Sequence, residues 1–182
     1  MGIVLIGFFV FLGIIVTLHY VYMIALACTG ISPLCTSKKA ARIVIDIVQK
    51  EYAKKNMYDM GCGYGEFSLM VHAELPDTRI IAVDMSPLRI FYAKLFSFFR
   101  KGRISFLRKD LFTISVMDAD VVYCYLPWSL MPRLEKKLLR ELKNGALVIT
   151  NTTVFPNWKL QEKRQTHIGN DYFEMLYVYR KE

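Results

Sequence analysis

Three glycines at alternate positions, Gly61, Gly63 and Gly65, most constrain how this chain of 182 residues can fold. An apolar run ends at Asp59 just before them, and an amphipathic run begins at Phe67 just after them. That order predicts a strand, a tight turn and the start of a helix, an arrangement that points backbone N–H groups at a ligand. Glycine suits such a turn because it has no Cβ to block close approach and because it readily adopts positive φ.

Strand-like and helix-like segments alternate after this turn. The pattern predicts strands at 57–60, 79–84, 103–107, 119–126 and 146–153, with helices at 64–74, 87–100 and 130–143. Such alternation is typical of an α/β fold with a doubly wound, mostly parallel sheet. Two further strand-like runs, 161–167 and 172–179, flank a Gly-Asn-Asp turn at 169–171 and predict a C-terminal antiparallel hairpin, which makes seven strands.

The spacing of the glycines distinguishes two kinds of nucleotide site. A dinucleotide fingerprint, G-x-G-x-x-G, would need a glycine where Glu66 stands. The pattern from Asp59 to Gly65 is instead D-x-G-x-G-x-G, which resembles motif I of the class I S-adenosylmethionine-dependent methyltransferases. Nineteen residues beyond Gly65, an apolar run ends at Asp84, where a carboxylate can accept hydrogen bonds from both ribose hydroxyls.

The resemblance implies S-adenosylmethionine as cofactor and a role for each matching residue. Gly61, Gly63 and Gly65 would shape the pocket for the amino-acid end of the cofactor, and Asp59 would lie near its ammonium group. Asp84 would bind the ribose. Asp110 matches the acidic position that often contacts the adenine amino group, and its alternative role is a helix cap or turn residue.

Aromatic residues follow the fourth predicted strand, at the edge where open α/β sheets bind their ligands. Tyr123, Pro127 and Trp128 are our candidates for a substrate channel that would strip water from a lysine amine and lower its pKa. No catalytic base stands out. The Asn/Asp-Pro-Pro-Tyr motif of many amino-group methyltransferases is absent, which argues against methylation of nucleotide bases or glutamine.

The C-terminal half is similar to a family of membrane-anchored lysine methyltransferases, whose mitochondrial members modify the c subunit of ATP synthase and the adenine nucleotide translocase. The similarity is carried by 126–142, 145–149 and 155–158, while the glycine turn departs from the family's usual Ser-Gly-Asp-Gly-Arg. It implies N-methylation of an accessible lysine on a membrane protein. Two alternatives remain open: methylation of a lipid or membrane-dissolved small molecule, and a membrane-tethered cofactor-binding or assembly module without turnover.

Residues 3–28 form an apolar run that predicts one transmembrane helix in contact with the lipid bilayer. About 26 residues at ~1.5 Å each span ~39 Å, more than the ~30 Å hydrocarbon core. The alternative is a signal peptide cleaved between Ala27 and Cys28, although the segment before the apolar run carries no basic residue. We therefore divide the chain into an anchor (1–28), a linker with a pre-domain helix (29–55) and a methyltransferase domain (56–182).

Charge and cysteine placement complete the expectations. The first charged residue is Lys38, so the whole net charge of +8 belongs to 38–182. Basic residues that follow the span place the domain on the cytoplasmic side of a bacterial or archaeal inner membrane, or on the matrix side of the mitochondrial inner membrane. The basic residues are dispersed and the four cysteines form no CxxC pair, so we expect neither a nucleic-acid partner nor a metal.

Overall fold

The computed structural model describes residues 2–28, 35–51, 56–98, 100, 102–166 and 174–182. The chain divides into two compact units, Met1–Pro33 and Leu34–Glu182. The first unit contains helix α1 (Gly2–Cys28), within which Leu5–Tyr22 has a mean hydropathy of 2.1 and is long and apolar enough to cross a membrane. Its described apolar side chains are exposed.

The second unit is built on a seven-stranded sheet, which confirms the predicted fold class. The strand order is β3-β2-β1-β4-β5-β7-β6, with β1 to β5 parallel and β7 antiparallel to both of its neighbours. The strands are β1 (Asn56–Met60), β2 (Arg79–Asp84), β3 (Ile104–Arg108), β4 (Val121–Cys124), β5 (Leu147–Asn151), β6 (Glu162–Gln165) and β7 (Met175–Arg180). The predicted turn at 169–171 lies outside the described residues, whereas the antiparallel pairing that it was expected to produce is present.

Helices cover both faces of the sheet because the central strands are apolar on both sides. On one face, α2 (Lys38–Glu51), α3 (Glu66–Glu74) and α4 (Pro87–Ser97) share a core with β1, β2 and β4. On the other face, α5 (Met131–Glu141) packs through Met131, Leu134 and Leu138. A 3₁₀ turn, Trp128–Leu130, precedes α5.

Local backbone geometry explains where the predicted boundaries were wrong. Helix α3 begins at Glu66 and not at residue 64, because Gly65 has a left-handed φ of 81°. Strand β5 ends at Asn151 and not at residue 153, because Thr152 has a φ of 65° and leaves the extended conformation. Ser37 caps α2 by accepting a hydrogen bond from Ala40 N at 3.1 Å.

Gly65 also lies in a tight contact between elements. A Cβ at this position would lie 2.5 Å from Phe106 Cε1 of β3 and 3.0 Å from Ala93 Cβ of α4. The turn, β3 and α4 can therefore approach one another this closely only because residue 65 has no side chain.

We predict that Gly65→Ala lowers the free energy of unfolding more than Gly145→Ala. Both glycines have positive φ, 81° and 84°, but a Cβ at Gly145 would meet nothing within 4 Å. Both variants carry a backbone cost of about 1–2 kcal/mol, and overpacking adds about 1–3 kcal/mol at Gly65 alone. Denaturant unfolding of the full chain in mild detergent measures the difference, and equal losses would contradict the packing role given to Gly65.

Candidate active site

The glycine turn lies at the carboxyl end of β1 and is attached to the carboxyl end of β2. The N–H groups of Gly61 and Cys62 both donate to Val83 O at 2.9 Å. Gly65 N closes the turn by donating to Cys62 O, also at 2.9 Å. A Cβ on Gly61 would lie 2.6 Å from Leu126 Cδ2, so the loop after β4 packs directly on the turn.

The carboxylate of Asp84 connects this turn to α4. Its Oδ2 accepts from Gly63 N at 3.1 Å and its Oδ1 accepts from Ser86 N at 2.8 Å. Ser86 in turn is the N-cap of α4, and Arg89 in the first turn of that helix has its Nη1 3.7 Å from Asp84 Oδ2. Each carboxylate oxygen retains a lone pair for a further donor.

Space for a ligand remains beside Gly63. A Cβ built on this residue would meet nothing within 4 Å, although its φ is 57°. Gly61 and Gly65 are thus required by the packing behind the turn, whereas Gly63 faces open space next to Asp84. The carboxylate of Asp84 therefore presents hydrogen-bond acceptors beside an open space in which hydroxyl groups could bind.

Asp59, the last acidic residue before the turn, is almost completely buried, with 2% exposure. Burial raises the pKa of Asp59 to about 7, and the negative charge of Asp84 adds to this rise. The hydroxyl of Ser68 donates to Asp59 Oδ2 at 2.6 Å and opposes the shift. The carboxyl group can therefore take up or lose a proton near neutral pH.

A polar cluster lies at the carboxyl ends of β4 and β5. Tyr123 is 1% exposed, stacks on Phe67 at a centroid distance of 3.9 Å, and has its hydroxyl 2.6 Å from Thr36 Oγ1. Asn151 Nδ2 donates to Tyr123 Oη at 3.2 Å and to Glu174 Oε1 at 2.7 Å. Desolvation raises the pKa of Tyr123 well above its usual range, so the phenol is neutral.

The same cluster holds the residues that precede α2. Ser37 N donates to both carboxylate oxygens of Glu174, at 3.1 and 3.2 Å. The start of the pre-domain helix is thereby joined to the strand ends that carry the candidate site residues.

The other candidates occupy separate positions at this edge. Asp110 follows β3, and its Oδ1 accepts a hydrogen bond from Phe112 N at 2.9 Å. It therefore has the turn role that the sequence indicated as the alternative to adenine binding. Pro127 is half-buried at the start of the 3₁₀ turn, and Trp128 is 77% exposed. The contact of Asp110 with adenine and the substrate channel of Tyr123, Pro127 and Trp128 stay predictions.

Sequence reasoning missed Arg89, Asn151 and Glu174. A signal existed for Asn151, since a polar residue that ends a buried strand is the same pattern that singled out Asp59 and Asp84. Glu174 precedes an antiparallel strand, whose beginning lies where the parallel strands end. No signal in the sequence pointed to Arg89, because its ion-pair partner Asp84 lies five residues earlier, on the other side of the N-cap of α4.

Comparison with known proteins adds the family to this geometry. The sequence profile described as "ANTKMT methyltransferase domain" matches residues 59–162, which contain the glycine turn, Asp84, Asp110 and the strand ends. This chain belongs to that family. The resemblance inferred from the C-terminal half is confirmed, and S-adenosylmethionine is the methyl donor that the family uses.

Two relatives differ in how much of their length is matched. A protein-lysine N-methyltransferase of Saccharolobus islandicus (strain REY15A) is 26% identical over 146 residues, 79% of this chain and 90% of the relative. An adenine nucleotide translocase lysine N-methyltransferase of Mus musculus is 30% identical over 106 residues, 57% of this chain but only 45% of the relative. The chain therefore matches less than half of the mouse protein.

A solved structure has the same fold. An RNA methyltransferase from Salinibacter ruber in complex with S-adenosyl-L-homocysteine superposes with a TM-score of 0.71 at 19% identity, covering 81% of this chain and 93% of that one. At that identity the likeness establishes the class I methyltransferase fold.

We predict that the buried carboxyl of Asp59 makes stability fall with rising pH. Its folded-state pKa is raised from the usual 3.8 to about 7, so between these values the folded chain holds a proton that the unfolded chain has lost. The free energy of unfolding should therefore decrease from about pH 4 to about pH 7, by up to about 4 kcal/mol, and level off above.

Asp59→Asn has no charge to titrate and isolates this effect. We measure the free energy of unfolding of both proteins by denaturant unfolding. As the pH rises from 5 to 7, the difference between them should change in favour of the variant. Parallel pH profiles of the two proteins would contradict the assignment.

Proposed function

We propose that this protein is a membrane-anchored, S-adenosylmethionine-dependent methyltransferase that modifies a lysine side chain of a membrane protein. The observation that carries the proposal is a methyltransferase domain of this family in one chain with an apolar helix long enough to span a bilayer. The names of the relatives support lysine as the acceptor, since both are lysine N-methyltransferases.

The residues of the turn would hold the cofactor. Gly63 leaves room beside the backbone, and Asp84 offers acceptors for ribose hydroxyls. Asp59 lies just before the turn in the chain, and the ammonium group of a bound cofactor nearby would favour its ionised form. Asp110 would accept a hydrogen bond from the adenine amino group through Oδ2, while its Oδ1 accepts from Phe112 N.

Bound S-adenosylmethionine supplies an electrophilic methyl group on a sulfonium. A lysine can accept it only through the lone pair of a neutral amine, whereas the ordinary pKa of lysine is about 10.4. Removing water from the amine lowers that pKa, which is the contribution we assign to the predicted channel of Tyr123, Pro127 and Trp128. The exposed indole of Trp128 would be covered by the arriving substrate.

The polar cluster would position the amine. Tyr123 is held neutral and fixed by Thr36 and Asn151, so its hydroxyl oxygen is a fixed acceptor at the end of β4. Glu174 lies beyond Asn151 and has a negative charge that attracts a lysine ammonium before its proton is lost. Much of the rate enhancement would come from this orientation, as expected for an in-line displacement.

The anchor explains the choice of substrate. A helix of 27 residues whose described side chains expose almost only apolar groups would hold the domain at a bilayer, where lysines near the ends of membrane-spanning segments lie close to the surface. The enzyme and its substrate then share one membrane and meet without leaving it.

We predict that tritium from methyl-labelled S-adenosylmethionine enters a membrane protein. The full chain is incubated with membranes from cells that lack its gene, and the label is followed into protein, organic and aqueous fractions. The label should remain with a protein band after lipid extraction and should appear as methylated lysine after hydrolysis.

A pair of variants controls this experiment. Gly63→Asn keeps a residue that tolerates positive φ but fills the space beside Asp84, so labelling should be lost; Gly145→Asn has the same backbone requirement away from the site and should label normally. Label in the organic phase would instead show methylation of a lipid or a membrane-dissolved small molecule. A folded protein that binds the cofactor and labels nothing would be a non-catalytic module.

A further inference from the structure

Helix α4 has an outer face that is strongly apolar although it belongs to the second unit and not to the anchor. Phe91, Leu95 and Phe98 are spaced four and three residues apart and lie within one narrow arc of the helix. All three are exposed, Phe98 by 78%. Phe96 is also exposed but lies about 100° around the helix from Leu95, whereas Ile90 and Ala93 enter the core.

The stretch of sequence that contains this face carries positive charge only. Between Asp84 and Asp110 there are seven Lys or Arg residues and no Asp or Glu, which accounts for +7 of the net charge of +8. Arg89 is buried against Asp84, while Lys94, Arg100, Arg103, Arg108 and Lys109 are exposed. Lys94 lies at the margin of the apolar arc, where a lysine can bury its stem and keep its ammonium in water.

An exposed apolar face within a purely basic stretch of chain matches the interface of an anionic bilayer. Helices of this kind lie in the plane of the interface with the apolar face about 5–10 Å deep. A protein partner for so apolar a face would not require the nearby charges to be exclusively positive. Phosphate headgroups would, because they are anionic.

We propose that α4, through Phe91, Leu95 and Phe98, docks on the surface of an anionic lipid bilayer. The proposal rests on the proposed membrane anchoring for its tether: residues 29–37 join α1 to α2, and an extended chain covers at most about 3.6 Å per residue. Docking is then an intramolecular event, so a modest affinity of the face suffices to hold it down.

The consequence concerns the active site. Ser86 and Arg89 in the first turn of α4 contact Asp84, so one end of the docked helix is the wall of the cofactor site. Since α4 would lie in the plane of the interface, docking would hold that site at a fixed height relative to the lipid surface. A lysine at a fixed distance from the bilayer would then be selected.

The test uses the full chain in nanodiscs of phosphatidylcholine with phosphatidylglycerol. Cys28→Ser and Cys35→Ser remove two cysteines, and the remaining Cys62 and Cys124 are buried. A single Phe98→Cys is labelled with an environment-sensitive fluorophore. The matched control is Leu139→Cys, an exposed apolar position on α5, which packs on the opposite face of the sheet.

We expect the label at position 98 to be quenched by doxyl-labelled lipid and protected from aqueous iodide, with the reverse at position 139. Reversing the charge of Lys94 or Arg100 with Glu should weaken docking by at least about fivefold for each residue, as should replacing phosphatidylglycerol with phosphatidylcholine.

Two results would overturn the proposal. A label at position 98 that is open to iodide and unaffected by doxyl lipid means that the face stays in water. Protection from both quenchers means that protein, a second copy of the chain or α1 included, covers it. Failure of the anchoring itself is recognised separately, because the chain would then not co-purify with nanodiscs.

Discussion

The carboxylate of Asp84 is the contact on which the site depends. One oxygen holds the glycine turn through Gly63 N, the other holds the N-cap of α4 through Ser86 N, and Arg89 balances the charge. Hydrogen bonds from backbone N–H groups to a charged carboxylate are stronger than those between neutral groups. Strand β2, the turn and α4 therefore share one anchor point at the edge of the sheet where the parallel strands end.

A second connection joins the segment before the domain to the other half of the sheet edge. Thr36 contacts Tyr123, and Ser37 contacts Glu174, while Asn151 links these two residues. Such networks are stabilising only when each member is satisfied, which here requires four separate stretches of chain to meet. The residues just before α2 are thereby joined to the strand ends that carry the candidate site.

Much of this arrangement could be predicted from the sequence, because its signals are local. The strand ends at Met60 and Asp84, the alternating glycines and the antiparallel tail are patterns within a few residues, and the structure has them where they were expected. The contacts of Glu174 with Ser37 and of Phe67 with Tyr123 join residues that are far apart in the chain, and no local pattern announces them. Boundaries shifted for a related reason: the positive φ of Thr152 depends on the loop after it and not on its own β-branched side chain, which favours strand.

The most direct test of the central role of Asp84 is calorimetric titration of the full chain in detergent with S-adenosylhomocysteine. Asp84→Asn keeps the shape but removes the charge, and Asp118→Asn changes an exposed carboxylate that pairs with Arg79. Saturable binding to the wild type and to the Asp118 variant, lost or weakened at least tenfold in the Asp84 variant with its fold intact, is the predicted result. Equal affinity in all three proteins would contradict the role given to Asp84.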